Sequence, residues 1–447
     1  MYHLHHACRA CGYGPKLGAE GVKLTRGDER LQEVFSLGLQ PLANSFSTDR
    51  DEQSGFAPLD VLFCPRCGLA QLSVVVKPEI LYSHYLYVTS PSQTMALHFA
   101  ALTRKLAEQT TFGSVLEIGS NDGAFLRTLK DDFEVMGIDP AANLTAKAIG
   151  ERIPTICGVF NRDTAEQALA KHGGGFDLVV ARHVFCHVDD WRGFMDSLAL
   201  VLNADGLVAI EVPYVKDLLD RGEFDTIYHE HTSYLNVRAF NALLQDSPFV
   251  LQRIESFPIH GGAIVLMLRR RDYGAPIHES VTSYLLQENI TADTWKEFSR
   301  KAKANMGALI NFIVQVRKEG KRVAGMGASA KSTVWVNAIK LTRADMDFVT
   351  DTTQQKLWKL IPGSNIPIVD EGAILRELPD YLVLFAWNYE QECIRKNLRY
   401  LERGGRIVVP VPELHVVGID AAKRILGHDQ PTEIQSESKE HVSNAFK

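Results

Sequence analysis

Residues 228–231 read Tyr-His-Glu-His, inside the stretch FDTIYHEHTSYL, with Ser233 and Tyr234 close behind. Two imidazoles, a carboxylate and a phenol on four consecutive positions raise three readings: a metal site, a polar turn, or a place where protons move. The zinc pattern HExxH sets its histidines four apart so that both lie on one helix face. Here His229 and His231 are two apart, and four adjacent side chains do not converge on one ion. A hydrogen-bonded polar turn stays open as a reading. Proton chemistry is the functional one: Glu230 and His231 suit a general base, and Tyr228 suits a donor to a developing oxyanion.

The elements upstream say what that base would serve. SVLEIGSNDG (114–123) is an apolar, β-rich run ending in a glycine turn, followed by AFLRTLKDD, which reads as a helix. About twenty residues after Gly119 comes EVMGIDP, a second buried strand closing on Asp139 and Pro140. Strand, glycine turn, helix, strand and acid make a nucleoside-binding unit in which the acid accepts hydrogen bonds from ribose hydroxyls. The glycines are only two, Gly119 and Gly123, and acids accompany them. Glu117 and Asp122 repel a pyrophosphate but tolerate the ammonium and sulfonium of S-adenosylmethionine. The pattern resembles motif I of class I methyltransferases. Glu117, Gly119, Asn121, Gly123, Asp139 and Pro140 are the expected cofactor contacts.

FDLVVARHVFCHVDD (176–190) reads as a fourth strand running into a polar loop, and GLVAIEVP (206–213) as a fifth. Ligands of open α/β sheets sit beyond the carboxyl ends of the strands. His183, Cys186 and His187 lie just past one such end, and the YHEH cluster follows the next by about fifteen residues. Methylation of an oxygen or nitrogen needs little beyond positioning. Methylation of carbon needs a C–H proton removed beside the methyl donor, and YHEH supplies the groups for it.

At the N-terminus, CRAC and CPRC carry Cys8, Cys11, Cys64 and Cys67, each pair followed by a glycine. Four thiolates suit a closed, tetrahedral, structural zinc site. Arg9 and Arg66, inside the two loops, are placed to offset its negative charge. His5 and His6 are expected to be solvated terminal residues. A redox dithiol or unrelated core cysteines are the competing readings. Cys157, Cys186 and Cys393 read as free thiols.

The 447 residues imply two or three domains. A net charge of −6 without a basic run argues against nucleic acid. No apolar stretch reaches bilayer length, and the opening MYHLHHACRACG has no apolar h-region, so a cytoplasmic location is expected.

Taken together, the sequence resembles the sugar C-methyltransferases of deoxysugar biosynthesis, which act on nucleotide-linked 4-keto-6-deoxyhexoses. The likeness spans almost the whole chain: the paired CxxC segment, YSHYLYVTSPS (82–92), LEIGSNDG, HVFCHV, YHEHTSYL, HGG (260–262), GASAKS (327–332), KLWKLIPGSNIPIV (356–369) and AWNY (386–389). Carried onto matching positions, it implies a catalytic group of Tyr82, His187, Tyr228, Glu230 and His231. His231, or Glu230 with it, would remove the proton α to the ketone; the others would orient the sugar or stabilise the enolate. His183 stands where the family more usually has Asn. His183, His260, Gly261, Ser329 and Lys331 are expected substrate contacts. The partner implied is a nucleotide-linked ketosugar, with dTDP as the nucleotide and C3 as the methylated carbon, in a monomer or homodimer.

The expected architecture is α/β and multidomain, a class I methyltransferase sheet flanked by a zinc-binding domain and a C-terminal Rossmann-like domain. Its parts are a zinc-binding domain (1–78), a methyltransferase domain (79–275), a helical connector (276–318), the Rossmann-like domain (319–419) and a polar tail (420–447). In the C-terminal unit Gly325 and Gly327 give GxG without a third glycine, so a Rossmann-like fold without NAD is favoured, its helix start with Ser329, Lys331 and Ser332 suited to an anion. The rival functions are an O-methyltransferase on the same fold, an NAD-linked oxidoreductase, and a zinc-bearing binding protein with an inactive enzyme domain.

Overall fold

The computed structural model describes residues 1–15, 30–48, 55–82 and 93–427. All of YSHYLYVTSPS but Tyr82, and residues 428–447 of the expected tail, lie outside the described residues.

Seven strands form the central sheet: β1 (Ser114–Ile118), β2 (Glu134–Asp139), β3 (Thr155–Cys157), β4 (Phe176–Arg182), β5 (Leu202–Pro213), β6 (Phe249–Phe257) and β7 (Ala263–Arg270). Their order is 6-7-5-4-1-2-3, and β7 runs antiparallel to both neighbours. This is the class I methyltransferase sheet. The four parallel strands nearest the centre are Val, Ile, Leu and Ala rich because helices cover both faces. One face packs Leu116, Ile118, Val179 and Phe185 with Trp191 and Phe194; the other packs Val115, Val180 and Ala209 with Phe99, Phe125 and Leu126.

The run AFLRTLKDD does not form the expected α-helix. Only Leu126–Thr128 coil, as a single 3₁₀ turn, and the rest is turns. Phe125, Leu126 and Leu129 are each buried, so the hydrophobic pattern is satisfied without a continuous helix.

Two further sheets flank this core. Strands Gln32–Pro41, Phe56–Phe63 and Ala70–Leu72 form an antiparallel meander, and Ser233–Tyr234, just past YHEH, adds to its edge. A six-stranded sheet built from Val323–Met326, Val349–Asp351, Ile368–Asp370, Tyr381–Leu384, Arg406–Val409 and His415–Val417 makes the C-terminal unit. Helices Glu279–Gln287 and Ala292–Lys318 precede it. The longer one buries Trp295, Phe298, Leu309 and Ile313 in a core shared by the N-terminal meander and the C-terminal sheet. Thr291 caps its start through the backbone N–H of Thr294. A helix, Ile419–Gly427, occupies the first residues of the segment read as tail. Its 3.6-residue pattern buries Ala422 in that core, with Ile419, Ile425 and Leu426 against it. Among the described residues no helix is long and apolar enough to cross a membrane.

Candidate active site and zinc site

A cleft of about 820 Å³ opens over the carboxyl ends of β1, β2, β4 and β5 and is walled by all three parts of the chain. That is the size of a pocket for one or more organic ligands. At one end Gly119 and Asn121 of the glycine turn meet Asp139 and Pro140. Gly119 has φ +68°, and a Cβ there would sit 2.1 Å from Val184 Cγ2, so the turn needs glycine. The Asp139 carboxylate accepts from two backbone groups, Asn121 N–H at 2.8 Å and Ala141 N–H at 2.9 Å. Burial pushes its pKa up and these two N–H groups pull it back.

Glu117 and Gly123 do not line the cleft. Glu117 is fully buried, and its Oε1 accepts from Arg182 Nε at 3.0 Å and from a terminal guanidinium nitrogen at 2.6 Å. The Arg182 guanidinium lies over the rings of Phe99 and Phe125, at 4.5 and 4.8 Å. Glu117 therefore anchors Arg182 of the cleft wall, where a cofactor contact was expected. Gly123 serves packing: a Cβ there would lie 2.5 Å from Ile153 Cδ1.

Tyr82, His187, Tyr228 and His231 converge in the middle of the cleft. The Tyr82 hydroxyl is 3.0 Å from His187 Nδ1, and the His187 and His231 ring centres are 5.1 Å apart. His231 Nδ1 is 2.7 Å from the carbonyl of Thr226, which can only accept, so Nδ1 carries the proton. His231 Nε2 is then a lone pair, and the Tyr228 hydroxyl 2.8 Å away donates to it. Burial lowers the His231 pKa to about 4, and burial with the neighbouring His231 lowers that of His187 to about 3. Both imidazoles are neutral at pH 7. Burial, followed by the charge of Glu230, raises the pKa of Tyr82.

Glu230 does not line the cleft either. It is buried and accepts from Asn44 Nδ2 at 2.6 Å, one strand end of the N-terminal meander thus gripping the loop. His229 points the other way, its Nε2 3.2 Å from the carbonyls of Ala57 and Pro58. The stretch is a tight turn closed by the His231 N–H on the Tyr228 carbonyl at 2.9 Å, which brings its two ends together, so YHEH splits into a cleft pair, Tyr228 and His231, and a pair outside the cleft, His229 and Glu230. The Cys186 sulfur lies within 4.8 Å of a nitrogen on His187 and one on His231. Burial pushes that thiol up to about 12, so in the metal-free cleft it is protonated.

Opposite stand His183, His260 and the C-terminal unit. The His183 and His260 rings meet edge to face at 4.8 Å, and His260 Nδ1 is 3.5 Å from the Tyr389 hydroxyl. Both line the cleft; Gly261 does not, being pressed against the Glu223 carboxylate. Ser329 is the residue before helix Ala330–Ala338, and its buried hydroxyl has no partner. Lys331 Nζ is buried, has no hydrogen-bond partner among the described residues, and is 3.8 Å from the centre of the Trp387 ring. The indole N–H groups of Trp387 and Trp335 both donate to Asp225, which fixes that ring.

Among the wall residues that escaped the sequence reading are Asn44, Glu223 and Lys356. Asn44 sits in PLANSF, where one amide amid apolar residues was the available signal. Glu223, its pKa pushed up to about 8 mainly by burial, offered none beyond a lone acid before Phe224. Lys356, buried and bonded to the Ala328 carbonyl at 2.8 Å, was within a quoted motif but given no role.

The zinc site lies outside the cleft. Cys8 and Cys67 sulfurs are 3.4 Å apart, Cys11 and Cys64 sulfurs 3.7 Å, and all four lie within 4.8 Å of one another. Zinc bonded to thiolates at about 2.3 Å requires sulfurs about 3.8 Å apart, which these four fit. The backbone N–H of Gly12 bonds the Cys8 carbonyl and that of Gly68 the Cys64 carbonyl, both at 2.9 Å and with both glycines at positive φ. Arg9 does not turn its guanidinium toward the sulfurs: it grips Asp189 at 3.0 Å and the Thr232 carbonyl at 3.3 Å. The metal loop is thereby tied to the residue after His231.

This sheet, its turn-and-acid end and the closed thiolate cluster define an S-adenosylmethionine-dependent class I methyltransferase with a structural zinc. Residues 93–253 match the family model "Methyltransferase domain", 258–412 "C-methyltransferase C-terminal domain" and 27–82 "Putative zinc binding domain". The C-methyltransferase NovU of Streptomyces niveus is 32% identical over 424 residues, covering 93% of this chain and 97% of that one. The chain belongs to the C-methyltransferase family. Among solved structures, the PH0226 protein of Pyrococcus horikoshii aligns over 44% of this chain and 97% of its own, at 15% identity and a TM-score of 0.33. A SAM dependent methyltransferase of Archaeoglobus fulgidus aligns over 36% and 72%, at 21% identity and a TM-score of 0.30. Likeness at that level adds nothing to the family match.

Proposed function

We propose that this C-methyltransferase acts on a nucleotide-linked 4-keto-6-deoxyhexose, deprotonating the carbon next to the ketone, with C3 as the carbon and dTDP as the nucleotide. The observation that carries the reading is the neutral Tyr228–His231 pair, hydroxyl to Nε2 at 2.8 Å, set in the same cleft as Asp139. S-adenosylmethionine, when bound, supplies an electrophilic methyl group; the end of the cleft formed by Gly119, Asn121, Asp139 and Pro140 holds it.

His231 is the base. Its Nε2 takes the α-proton, and the Thr226 carbonyl stabilises the imidazolium through Nδ1–H. Tyr228, released from Nε2 as that nitrogen is protonated, then donates to the substrate. In the tautomer this step requires, His187 Nδ1 accepts from the Tyr82 hydroxyl 3.0 Å away and Nε2–H holds the enolate oxygen. Glu230, bonded to Asn44 and absent from the cleft wall, acts by positioning the loop. His183 and His260 contact the sugar. Lys331, Ser329 and the start of helix Ala330–Ala338 take the diphosphate, where an unpartnered ammonium and backbone N–H groups face one cavity.

The test is incubation with S-adenosylmethionine and dTDP-4-keto-6-deoxyglucose in heavy water, followed by mass spectrometry. A gain of one C-methyl, or solvent deuterium beside the ketone without methyl transfer, supports the reading. Product carrying an O-methyl group would move the assignment to the O-methyltransferase rival. No change, with cofactor still bound by calorimetry, would exclude this acceptor.

A further inference from the structure

The opening MYHLHH did more than leave a solvated end. Tyr2–Leu4 form a strand paired antiparallel with Val74–Val76, and the His5 N–H continues the pairing to the Ser73 carbonyl. Residues two apart on a strand share a face. His3 and His5 therefore point the same way, while Leu4 points out and is 57% exposed. What they face is Asp189. His3 Nε2 is 3.3 Å from Asp189 Oδ2 and His5 Nδ1 is 3.4 Å from Oδ1. One donor atom from each of the three residues lies within 4.8 Å of the other two. A tetrahedral ion with nitrogen and oxygen ligands at about 2.0–2.1 Å has ligand-to-ligand edges of about 3.4 Å. The His3 separation from Oδ2 matches that edge, and the His5 nitrogen lies within reach of the same ion.

We propose that His3, His5 and Asp189 form a second metal site, distinct from the four cysteines, for a divalent transition ion of the zinc or nickel type. Two imidazoles and one carboxylate suit such ions and not magnesium or calcium. Arg9 remains bonded to Oδ1 of Asp189, leaving Oδ2 for the ion. The adjacent guanidinium weakens cation binding, which places the affinity in the micromolar range rather than at the level of a structural zinc. Three protein ligands leave a fourth position open, so the ion exchanges freely.

The site has a place in the molecule as well as a geometry. Asp189 follows His187 by two residues and itself lines the cleft. Its partner Arg9 holds the carbonyl next to His231. An ion at this point clips the N-terminal strand to the loop that carries His187.

The experiment uses full-length, tag-free protein whose cysteine-bound zinc is confirmed by elemental analysis at one ion per chain. Nickel is then titrated calorimetrically. The expected result is one further ion per chain with micromolar Kd, a melting temperature raised by several degrees, and at least 30-fold weaker binding in the His3→Gln/His5→Gln double variant, with His6→Gln unchanged. The double variant must keep its one zinc and its circular dichroism spectrum; His3→Gln alone, at an exposed side chain, serves if the double variant does not fold. Absence of a second ion, or nickel binding that survives in the folded variant, would overturn the proposal.

Discussion

The Tyr228 hydroxyl lies 2.8 Å from His231 Nε2 while Nδ1 of the same ring is held by the Thr226 carbonyl at 2.7 Å. The carbonyl fixes the tautomer, and the tautomer turns the basic nitrogen into the cleft. His231→Asn keeps a polar side chain of similar reach but has no basic nitrogen. Turnover should fall about 10³-fold or more, the scale of a lost general base. The cofactor Kd, read by calorimetry, should move less than twofold. Near-normal turnover would remove His231 from the chemistry.

Glu230 supplies a contrast. It bonds Asn44 of the cleft wall without lining the cleft itself, so Asn44→Ala and Glu230→Gln should act alike. Each should lower turnover by roughly tenfold through a displaced loop, well short of the His231 effect. A Glu230→Gln loss equal to that of His231→Asn would mean the carboxylate shares the proton.

Lys331 sits over the Trp387 ring with no hydrogen-bond partner among the described residues. If it takes a diphosphate, Lys331→Ala should raise KM for the nucleotide-sugar by about 10- to 100-fold, the worth of one charge-assisted contact, and leave kcat within about threefold. A change confined to kcat would place Lys331 with the reacting atoms instead.

The imidazoles set the pH response. His231 and His187 have folded pKa values of about 4 and about 3, below the ordinary 6.5. Their protonation in the folded enzyme, and hence the acid limb of kcat/KM, should fall near pH 4 or below rather than at 6.5. The unfolded chain binds protons at these sites from pH 6.5 downward while the folded chain does not. Stability is therefore full above pH 6.5 and declines as pH falls toward 4, a trend His183 and His260 share. Melting curves from pH 7.5 to 4.5 check the sign; a melting temperature that rises on acidification would contradict it.

What the sequence disclosed follows from how local each signal is. The CxxC pairs, the glycine turn with Asp139 and the alternation of strands and helices are short-range patterns, and their physics is carried by neighbouring residues. YHEH was visible as a cluster, but the sequence could not say which of its side chains enter the cleft. That depends on Asn44, Ala57 and Pro58, more than 170 residues away, which claim Glu230 and His229. Likewise the apolar residues after the glycine turn promised a helix. Burial of Phe125, Leu126 and Leu129 is achieved by turns, and tertiary packing overrode the local period. The role of Arg9 was hidden for the same reason: its partners are Asp189 and Thr232, not the cysteines beside it.

Glu117 and Asp139 give the sharpest separation between a motif's chemistry and its structure. Both are acids at the ends of adjacent parallel strands, and both were expected to contact the cofactor. Asp139 lines the cleft with its carboxylate oriented by two backbone N–H groups, so it is ready to accept from a ribose. Asp139→Ala should weaken S-adenosylmethionine binding at least tenfold, since the hydroxyls would lose a charged acceptor. Glu117 is fully buried against Arg182, whose guanidinium lies over two phenyl rings. Burial has lifted the Glu117 pKa to about 7 even with the arginine beside it. Glu117→Gln leaves that guanidinium buried without its counter-charge, which costs about 3 kcal/mol or more. The melting temperature should drop by several degrees, while cofactor affinity of the folded protein stays within about threefold. The reverse pattern, intact stability and lost cofactor binding, would return Glu117 to the role its place in the motif suggested.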